Sequence, residues 1–217
     1  MPTRFFHPDS AGAGPDDGQI RAVDPNTILF SVPTLADALP PLEPVAAQPA
    51  GPYCIFHEDD WLQTELLPRE TVNAAESLMA ELKAFELHHR ENVGWHKVFV
   101  RYHTFGDTLP LRFTLDAIAE EFAPVPAGEL YLVTSGAAMR VTGGFSFDLD
   151  GKAWLYGHAT EGAVHSLGLA IAADDAHNTM LDAFNRLSEI YPLILADWRA
   201  QFIVVEPERG SYRVWQA

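Results

Sequence analysis

The densest group of polar side chains in the sequence is the run His57-Glu58-Asp59-Asp60-Trp61. Carboxylates gathered in one turn can hold a hard cation, act as a general base or attract a positively charged partner. A calcium loop spreads its ligands over about a dozen residues around a central glycine, and that pattern is missing here. We therefore interpret the run as an exposed acidic turn between two strands. If the chain docks on a basic protein, these five residues are the predicted contacts, because an aromatic ring beside charges makes an effective interface anchor.

Histidine is the side chain best suited to holding a transition metal, and the chain has nine. His88, His89, His96 and His103 fall within sixteen residues, whereas a zinc site needs about three or four ligands that converge on one point. Side chains alternate between the faces of a strand, so His96 and His103, seven residues apart on a predicted strand, are expected on opposite faces. His88 and His89 are expected in the last turn of a helix, where a cation complements the helix dipole. We predict no metal site here and no cofactor.

A second pair, His158 and His165, repeats the spacing of seven residues in a stretch that we interpret as a glycine-containing loop. The only acidic residue between them is Glu161, and the zinc-protease pattern HExxH is absent. Ser166 lacks the preceding glycine of a nucleophile elbow, and Cys54 lies in an apolar run that is typical of a buried, inert thiol. No glycine loop has the spacing of a nucleotide-binding motif. The sequence therefore predicts no catalytic residues.

Charge separates the function classes more clearly than motifs do. Thirty acidic residues against fourteen basic ones give a formal charge of -16, which repels nucleic-acid phosphates and anionic lipid. We therefore expect neither nucleic-acid nor membrane-surface binding. The same charge attracts basic proteins and speeds encounter with them, although solubility alone would explain it equally well. A single cysteine, no apolar run near the ~20 residues of a membrane span and no leader-like hydrophobic start lead us to expect a cytoplasmic protein.

Proline divides the chain into two regions. Residues 1–52 hold ten of the sixteen prolines, and proline removes a backbone donor and disfavours helix at the residue before it. We predict an extended arm or loop region there, with one β-prone segment at 27–32. The arm could wrap its own domain, reach a neighbouring copy to form a homo-oligomer, or stay flexible. Residues 53–217 are predicted to form a single domain.

The second region combines helical and strand periodicities. Apolar residues at steps of three and four predict a long helix over 69–91, a second long helix capped by Asp174 or Asp175, and a short helix over 115–122. Runs of β-branched and aromatic residues predict the strands, and Asp150-Gly151 predicts a hairpin with a two-residue type I′ turn. Together these elements indicate an α+β fold, with an antiparallel or mixed sheet and helices packed mainly on one face.

Three function classes fit these features. We interpret the chain as a non-enzymatic acidic interaction protein, immunity- or antitoxin-like or an adaptor, that docks on a basic protein partner. The alternative is a small hydrolase or metal-dependent enzyme that uses scattered His and Asp or Glu side chains. A third hypothesis is a small-molecule binder whose sheet face is lined by Phe145, Phe147, Trp154 and Tyr156, for which core packing is the simpler explanation.

Overall fold

A computed structural model describes residues 29–45, 49, 51–102, 113–172, 176–205 and 212–216. Over these residues the chain forms thirteen strands and three helices, which confirms an α+β fold. The strands are β1 Thr34–Ala36, β2 Leu42–Pro44, β3 Tyr53–His57, β4 Thr64–Pro68, β5 Phe99–Arg101, β6 Glu129–Thr134, β7 Ala137–Val141, β8 Gly144–Asp148, β9 Ala153–Thr160, β10 Ala163–Ile171, β11 Leu193–Asp197, β12 Phe202–Val205 and β13 Arg213–Gln216. The helices are α1 Val72–His89, α2 Leu115–Glu121 and α3 His177–Ile190. None of these helices is both long and apolar enough to cross a membrane.

Two sheets and a short strand pair organise the fold. The larger sheet is antiparallel throughout and runs in the order β13-β12-β11-β4-β10-β9-β8. The smaller sheet, β2-β7-β6-β3, is mixed, because β3 pairs in parallel with β6. Strands β1 and β5 form a separate parallel pair. The prediction of antiparallel or mixed sheets is therefore confirmed, and β4 lies at the centre of the larger sheet.

The larger sheet carries helices on both faces. On one face Leu66, Leu195 and Val204 belong to a buried cluster that includes side chains of α2 and α3. The adjacent residues Leu67 and Ile194 belong to a different cluster, which includes side chains of α1. Successive side chains of a strand point to opposite faces, so two neighbouring apolar residues supply two separate cores. The expectation that the helices pack mainly on one face holds for α2 and α3 but not for α1, the longest helix.

Strand β11 is the main element that the sequence analysis did not predict. Its run Leu-Ile-Leu-Ala-Asp follows Pro192, and the first four of its residues are buried. A strand that is covered on both faces shows a continuous apolar run instead of alternation, so neither the helical nor the strand period identifies it. β11 pairs with β4 and β12, and it thereby fixes the positions of Asp197 and of Trp198, which follows it.

The two hairpins formed by β8, β9 and β10 have connections that differ from the prediction. The β8–β9 connection spans four residues, of which only Gly151 has a positive φ, of 74°, whereas a type I′ turn needs two such residues. The Asp150 carboxylate instead accepts hydrogen bonds from the two backbone N–H groups that follow Gly151. Strands β9 and β10 are joined by Glu161 and Gly162, which both have positive φ. The two-residue turn lies here instead.

Residues 29–45 are the longest described stretch of the predicted proline-rich region. Strand β1 pairs with β5, and β2 pairs with β7. Of the predicted β-prone segment 27–32, residues 27 and 28 lie outside the described residues, and Phe30 forms an isolated bridge with Trp95. Residues 1–28, His103 and the predicted helix caps Asp174 and Asp175 also lie outside the described residues.

Candidate functional site

The predicted acidic turn connects the two sheets. Strand β3 of the smaller sheet ends at His57, Glu58–Asp60 form a single turn of 3-10 helix, and the chain then enters β4 at the centre of the larger sheet. The His57 imidazole caps the turn, because its Nδ1 accepts a hydrogen bond of 3.2 Å from the backbone N–H of Asp59. The turn thus occupies a fixed crossover between sheets.

The five predicted contact residues divide into a partly exposed group and a buried one. The side chains of His57 and Asp59 are 42% and 33% exposed, and that of Asp60 is 18% exposed. Trp61 is only 3% exposed and its ring lies 5.5 Å from that of Tyr156, within the core beneath the smaller sheet. The indole therefore packs in the core behind the turn and is not a surface contact. The side chains that reach solvent are those of His57 to Asp60.

The carboxylates of the turn differ in their electrostatic surroundings. Burial raises the pKa of Asp59 above its ordinary value, with the charges of Glu58 and Asp60 adding to the effect and His57 opposing it. The His57 Nδ1 lies 3.3 Å from the Asp59 Oδ2. Asp60 is paired instead with Arg199, whose Nη2 donates a 2.6 Å hydrogen bond to the Asp60 Oδ1. One arginine therefore faces a group of three acidic residues, and the turn keeps a net negative charge.

Leu62 shows how firmly the backbone behind the turn is held. It has a φ of 52°, in the left-handed region that leucine rarely adopts, and such a conformation costs about 1–3 kcal/mol. The Leu62 N–H donates to the Tyr156 hydroxyl at 2.9 Å, and the Leu62 carbonyl accepts from the Arg101 Nη2, also at 2.9 Å. Burial raises the pKa of Tyr156, so its hydroxyl stays protonated. Two buried side chains thus fix this conformation.

Gln63 connects the turn to the first strand pair. The side chain is buried, and its Nε2 donates to the carbonyl oxygens of Thr34 and Asp59, at 2.7 Å each. Thr34 belongs to β1, so the amide joins the turn to a strand that lies 29 residues earlier in the chain. The backbone of Trp198 adds a further hydrogen bond of 2.9 Å to the Gln63 carbonyl.

Arg101, the last residue of β5, is the charged centre of this region. It is 4% exposed, its Nη1 donates to the Thr34 hydroxyl at 3.1 Å, and its guanidinium lies 5.0 Å from the centre of the Trp198 ring. Burial lowers the pKa of Arg101 to about 10, against the opposing effect of Glu65. At neutral pH the arginine is therefore charged, and it depends on these contacts for its solvation.

Glu65 is the buried acid that accompanies Arg101. It is 4% exposed, and its Oε2 accepts a 3.0 Å hydrogen bond from the Trp198 indole. We call Thr34, Gln63, Glu65, Arg101 and Trp198 the buried polar framework. It joins β1, β4 and β5 to the chain just after β11, directly behind the acidic turn. A network of this kind rigidifies the backbone that it holds.

The sequence analysis missed this framework, because its members are scattered along the chain and form no motif. Two features of the sequence indicate buried charges. Glu65 stands in a strand that is otherwise buried and largely apolar, and Arg101 ends an aromatic and β-branched run. A charge in such a setting is expected to be buried and paired. The identity of the partners, by contrast, depends on tertiary pairings that no local pattern contains.

The histidines are arranged differently from the prediction in two places: His96, predicted on a strand, lies in a bend before β5, and the pair His158 and His165 lies on strands. His88 and His89 end α1, as expected, and His96 lies 2.7 Å from the Glu91 carboxylate. His158 and His165, which we assigned to a loop, instead lie on the paired strands β9 and β10, with ring centroids 5.4 Å apart. Within the part of the chain that the structure describes, no three His, Cys, Asp or Glu side chains are grouped to hold a metal ion.

The aromatic residues proposed as a ligand-binding face do not share one face. Phe145 and Phe147 belong to the core beneath α2 and α3, whereas Tyr156 belongs to the core beneath the smaller sheet, with Trp154 packed against it. The three residues Phe145, Phe147 and Tyr156 are at most 2% exposed. They are core residues, and they line no common cavity face.

The chemical capacity of the site is that of a rigid anionic surface. Cys54 is buried beside β6, and burial raises its pKa to about 12, so its thiol is not an available nucleophile at neutral pH. The turn presents carboxylates in fixed positions, which suits the binding of cationic groups. Compared with protein-family models, curated proteins and solved structures, the chain has no match.

Proposed function

We propose that this chain is a non-enzymatic binding protein that docks on a basic protein partner through the acidic turn of His57 and Glu58–Asp60. The observation that supports this most is that buried side chains hold the turn in one conformation. Its side chains are partly exposed, while hydrogen bonds from Gln63 and Tyr156 and the ion pair with Arg199 hold it from behind. A surface that is already ordered loses little conformational entropy on binding.

The charge of the chain supports the same proposal. A formal charge of -16 creates a long-range attraction for positively charged proteins and raises their association rate. An immunity- or antitoxin-like protein, or an adaptor, would use such a surface against a basic partner. The proposal includes a cytoplasmic location, with which a single buried cysteine is compatible, and a contribution of residues 1–52 to contacts between copies.

The proposal is tested by neutralising the turn without changing the rest of the surface. The variant Glu58→Gln/Asp59→Asn/Asp60→Asn removes three negative charges. The matched control, Asp116→Asn/Glu120→Gln/Glu189→Gln, removes three charges from exposed positions on α2 and α3. Wild type and both variants are used as bait in native lysate. We expect the wild type and the control to retain the same basic protein, released at ~0.5 M salt, and the turn variant to lose it.

The outcomes of this experiment are distinct. Equal retention by all three baits would show that the turn is not the docking surface. Equal loss from both variants would show that binding depends on net charge and not on a defined site. Far-ultraviolet circular dichroism checks that the variants keep their secondary structure.

A second candidate function is a small hydrolase, and the contact between His57 and Asp59 favours it. With its proton on Nδ1, the imidazole would donate to the Asp59 Oδ2 at 3.3 Å instead of accepting from the Asp59 N–H, and the carboxylate would then orient the ring as a general base at Nε2. Hydrolysis of chromogenic esters and phosphates is measured for the wild type, His57→Ala and the control His177→Ala, which is exposed on α3. Turnover that is lost only in His57→Ala supports the enzyme, and turnover equal in all three excludes this pair as its base.

A further inference from the structure

The hairpin of β9 and β10 brings two histidines together. Neither belongs to the acidic turn or to the buried polar framework. The two-residue turn of the hairpin, Glu161 and Gly162, pairs Thr160 with Ala163. Moving one residue back along β9 and one forward along β10 increases the sequence separation of a paired position by two residues, as in Ala159 and Val164. A regular ladder would therefore pair His158 with His165, seven residues apart, whereas the observed register pairs His158 with Ser166.

A β-bulge at this position places both rings on one side. The pairing is Val164 with Ala159 and then Ser166 with His158, so His165 is the additional residue of β10. In a bulge two residues of one strand oppose a single residue of its partner, and the bulge re-aims a side chain. His165 and Ser166 together oppose His158. The ring centroids of the two histidines lie 5.4 Å apart, with 32° between the ring planes.

That separation is compatible with both rings reaching one ion. A ring nitrogen lies roughly 1.1 Å from the centre of an imidazole and roughly 2.0–2.1 Å from a bound zinc, so two rings on a tetrahedral ion have centroids roughly 5.2 Å apart. We propose that His158 and His165 form a two-histidine site for a divalent transition-metal ion such as Zn²⁺. Imidazole is a preferred ligand of Zn²⁺, Ni²⁺ and Cu²⁺. Solvent or an external ligand completes the coordination sphere.

The surroundings of the pair favour binding of a cation. Both histidines are half-buried on paired strands, which fix their separation before an ion arrives. Neutral imidazole is the form that binds metals. The formal charge of the chain, -16, adds a long-range attraction for a divalent cation. This site is independent of the proposed docking function.

The test is calorimetric titration of Zn²⁺ into untagged, metal-free protein. We expect one site of modest affinity per chain in the wild type, because the protein supplies only two of the ligands. His158→Gln and His165→Gln are each expected to weaken it by more than about tenfold, since even the loss of an outer-shell group costs ~10–100-fold. The double variant is expected to lose the site. His177→Gln serves as the matched control and is expected to bind Zn²⁺ as the wild type does, because His177 is exposed on α3.

A second measurement needs no variant and so does not depend on the folding of one. Nitrogen-15 spectra of the histidine rings are recorded during the zinc titration of the wild type. The inference predicts that the ring nitrogens of His158 and His165 shift together at one equivalent, while those of His177 do not. Binding that persists in the double variant, shifts confined to other histidines, or no binding at all would overturn it.

Discussion

Replacing Arg101 with methionine tests the buried polar framework most sharply. Methionine has a similar length and an apolar stem, so the substitution removes the guanidinium with a small change in shape. It removes the hydrogen bonds to the Thr34 hydroxyl and the Leu62 carbonyl, together with the contact on the Trp198 ring. It also removes the favourable electrostatic interaction between the Arg101 charge and the buried Glu65.

The size of the effect follows from these losses. Removing one partner of a buried charge pair costs about 3–5 kcal/mol, because the other charge remains uncompensated. We therefore expect Arg101→Met to lower the free energy of unfolding by about 3–5 kcal/mol, out of a total of about 5–15 kcal/mol for a typical domain. Glu65→Gln keeps an acceptor for the Trp198 indole while removing the charge. The double variant should therefore cost less than the sum of the two single variants, by about 1–3 kcal/mol.

Urea unfolding followed by tryptophan fluorescence measures all four members of this double-mutant cycle. The slope of unfolding free energy against urea must be unchanged for the comparison to hold. A cost below about 1 kcal/mol for Arg101→Met would refute the reasoning, since that is the range of an exposed arginine. Additive costs in the double variant would show that Arg101 and Glu65 do not depend on each other.

Three further predictions concern single groups around the site. Tyr156→Phe leaves the Leu62 N–H buried without its acceptor and should cost about 1–3 kcal/mol in urea unfolding, whereas the exposed control Tyr53→Phe should cost almost nothing. The Cys54 thiol, with a pKa raised to about 12, should react with a thiol reagent only when urea unfolds the chain, and rapid labelling of the folded protein would contradict this. Burial also raises the pKa of Asp197, so the folded state binds its proton more tightly than the unfolded state does. The contribution of Asp197 to stability is therefore full below an ordinary pKa of 3.8 and is lost as the pH rises through the raised value. Urea unfolding across this window should show the wild type losing stability relative to Asp197→Asn, and a constant difference would be the contrary result.

The elements that the sequence predicted well are those determined by residues close together in the chain. The periodicity over 69–91 corresponds to α1, and that over 115–122 corresponds to α2. The acidic turn was located correctly between its two strands, because charged residues between apolar runs mark a connection. Each of these features depends on residues that are close together in the chain.

The elements that were missed depend on distant residues. Strand β11 is buried on both faces, because α1 covers one face of its sheet and α3 covers the other. Its apolar run therefore shows no alternation. The partner of Asp60 is Arg199, which is 139 residues away. Trp61 looks like a surface anchor beside three acids, yet the smaller sheet covers it. A period or a local motif cannot carry such information, since it arises from the packing of separate elements.

Site-specific photo-crosslinking in cells tests the central claim most directly. A photoreactive residue is placed at Glu58, in the acidic turn, and separately at Asp116, an exposed acidic position on α2. If the turn is the docking surface, position 58 crosslinks to a protein with a net positive charge and position 116 does not. The absence of a product at position 58, or the same product from both positions, would contradict the account.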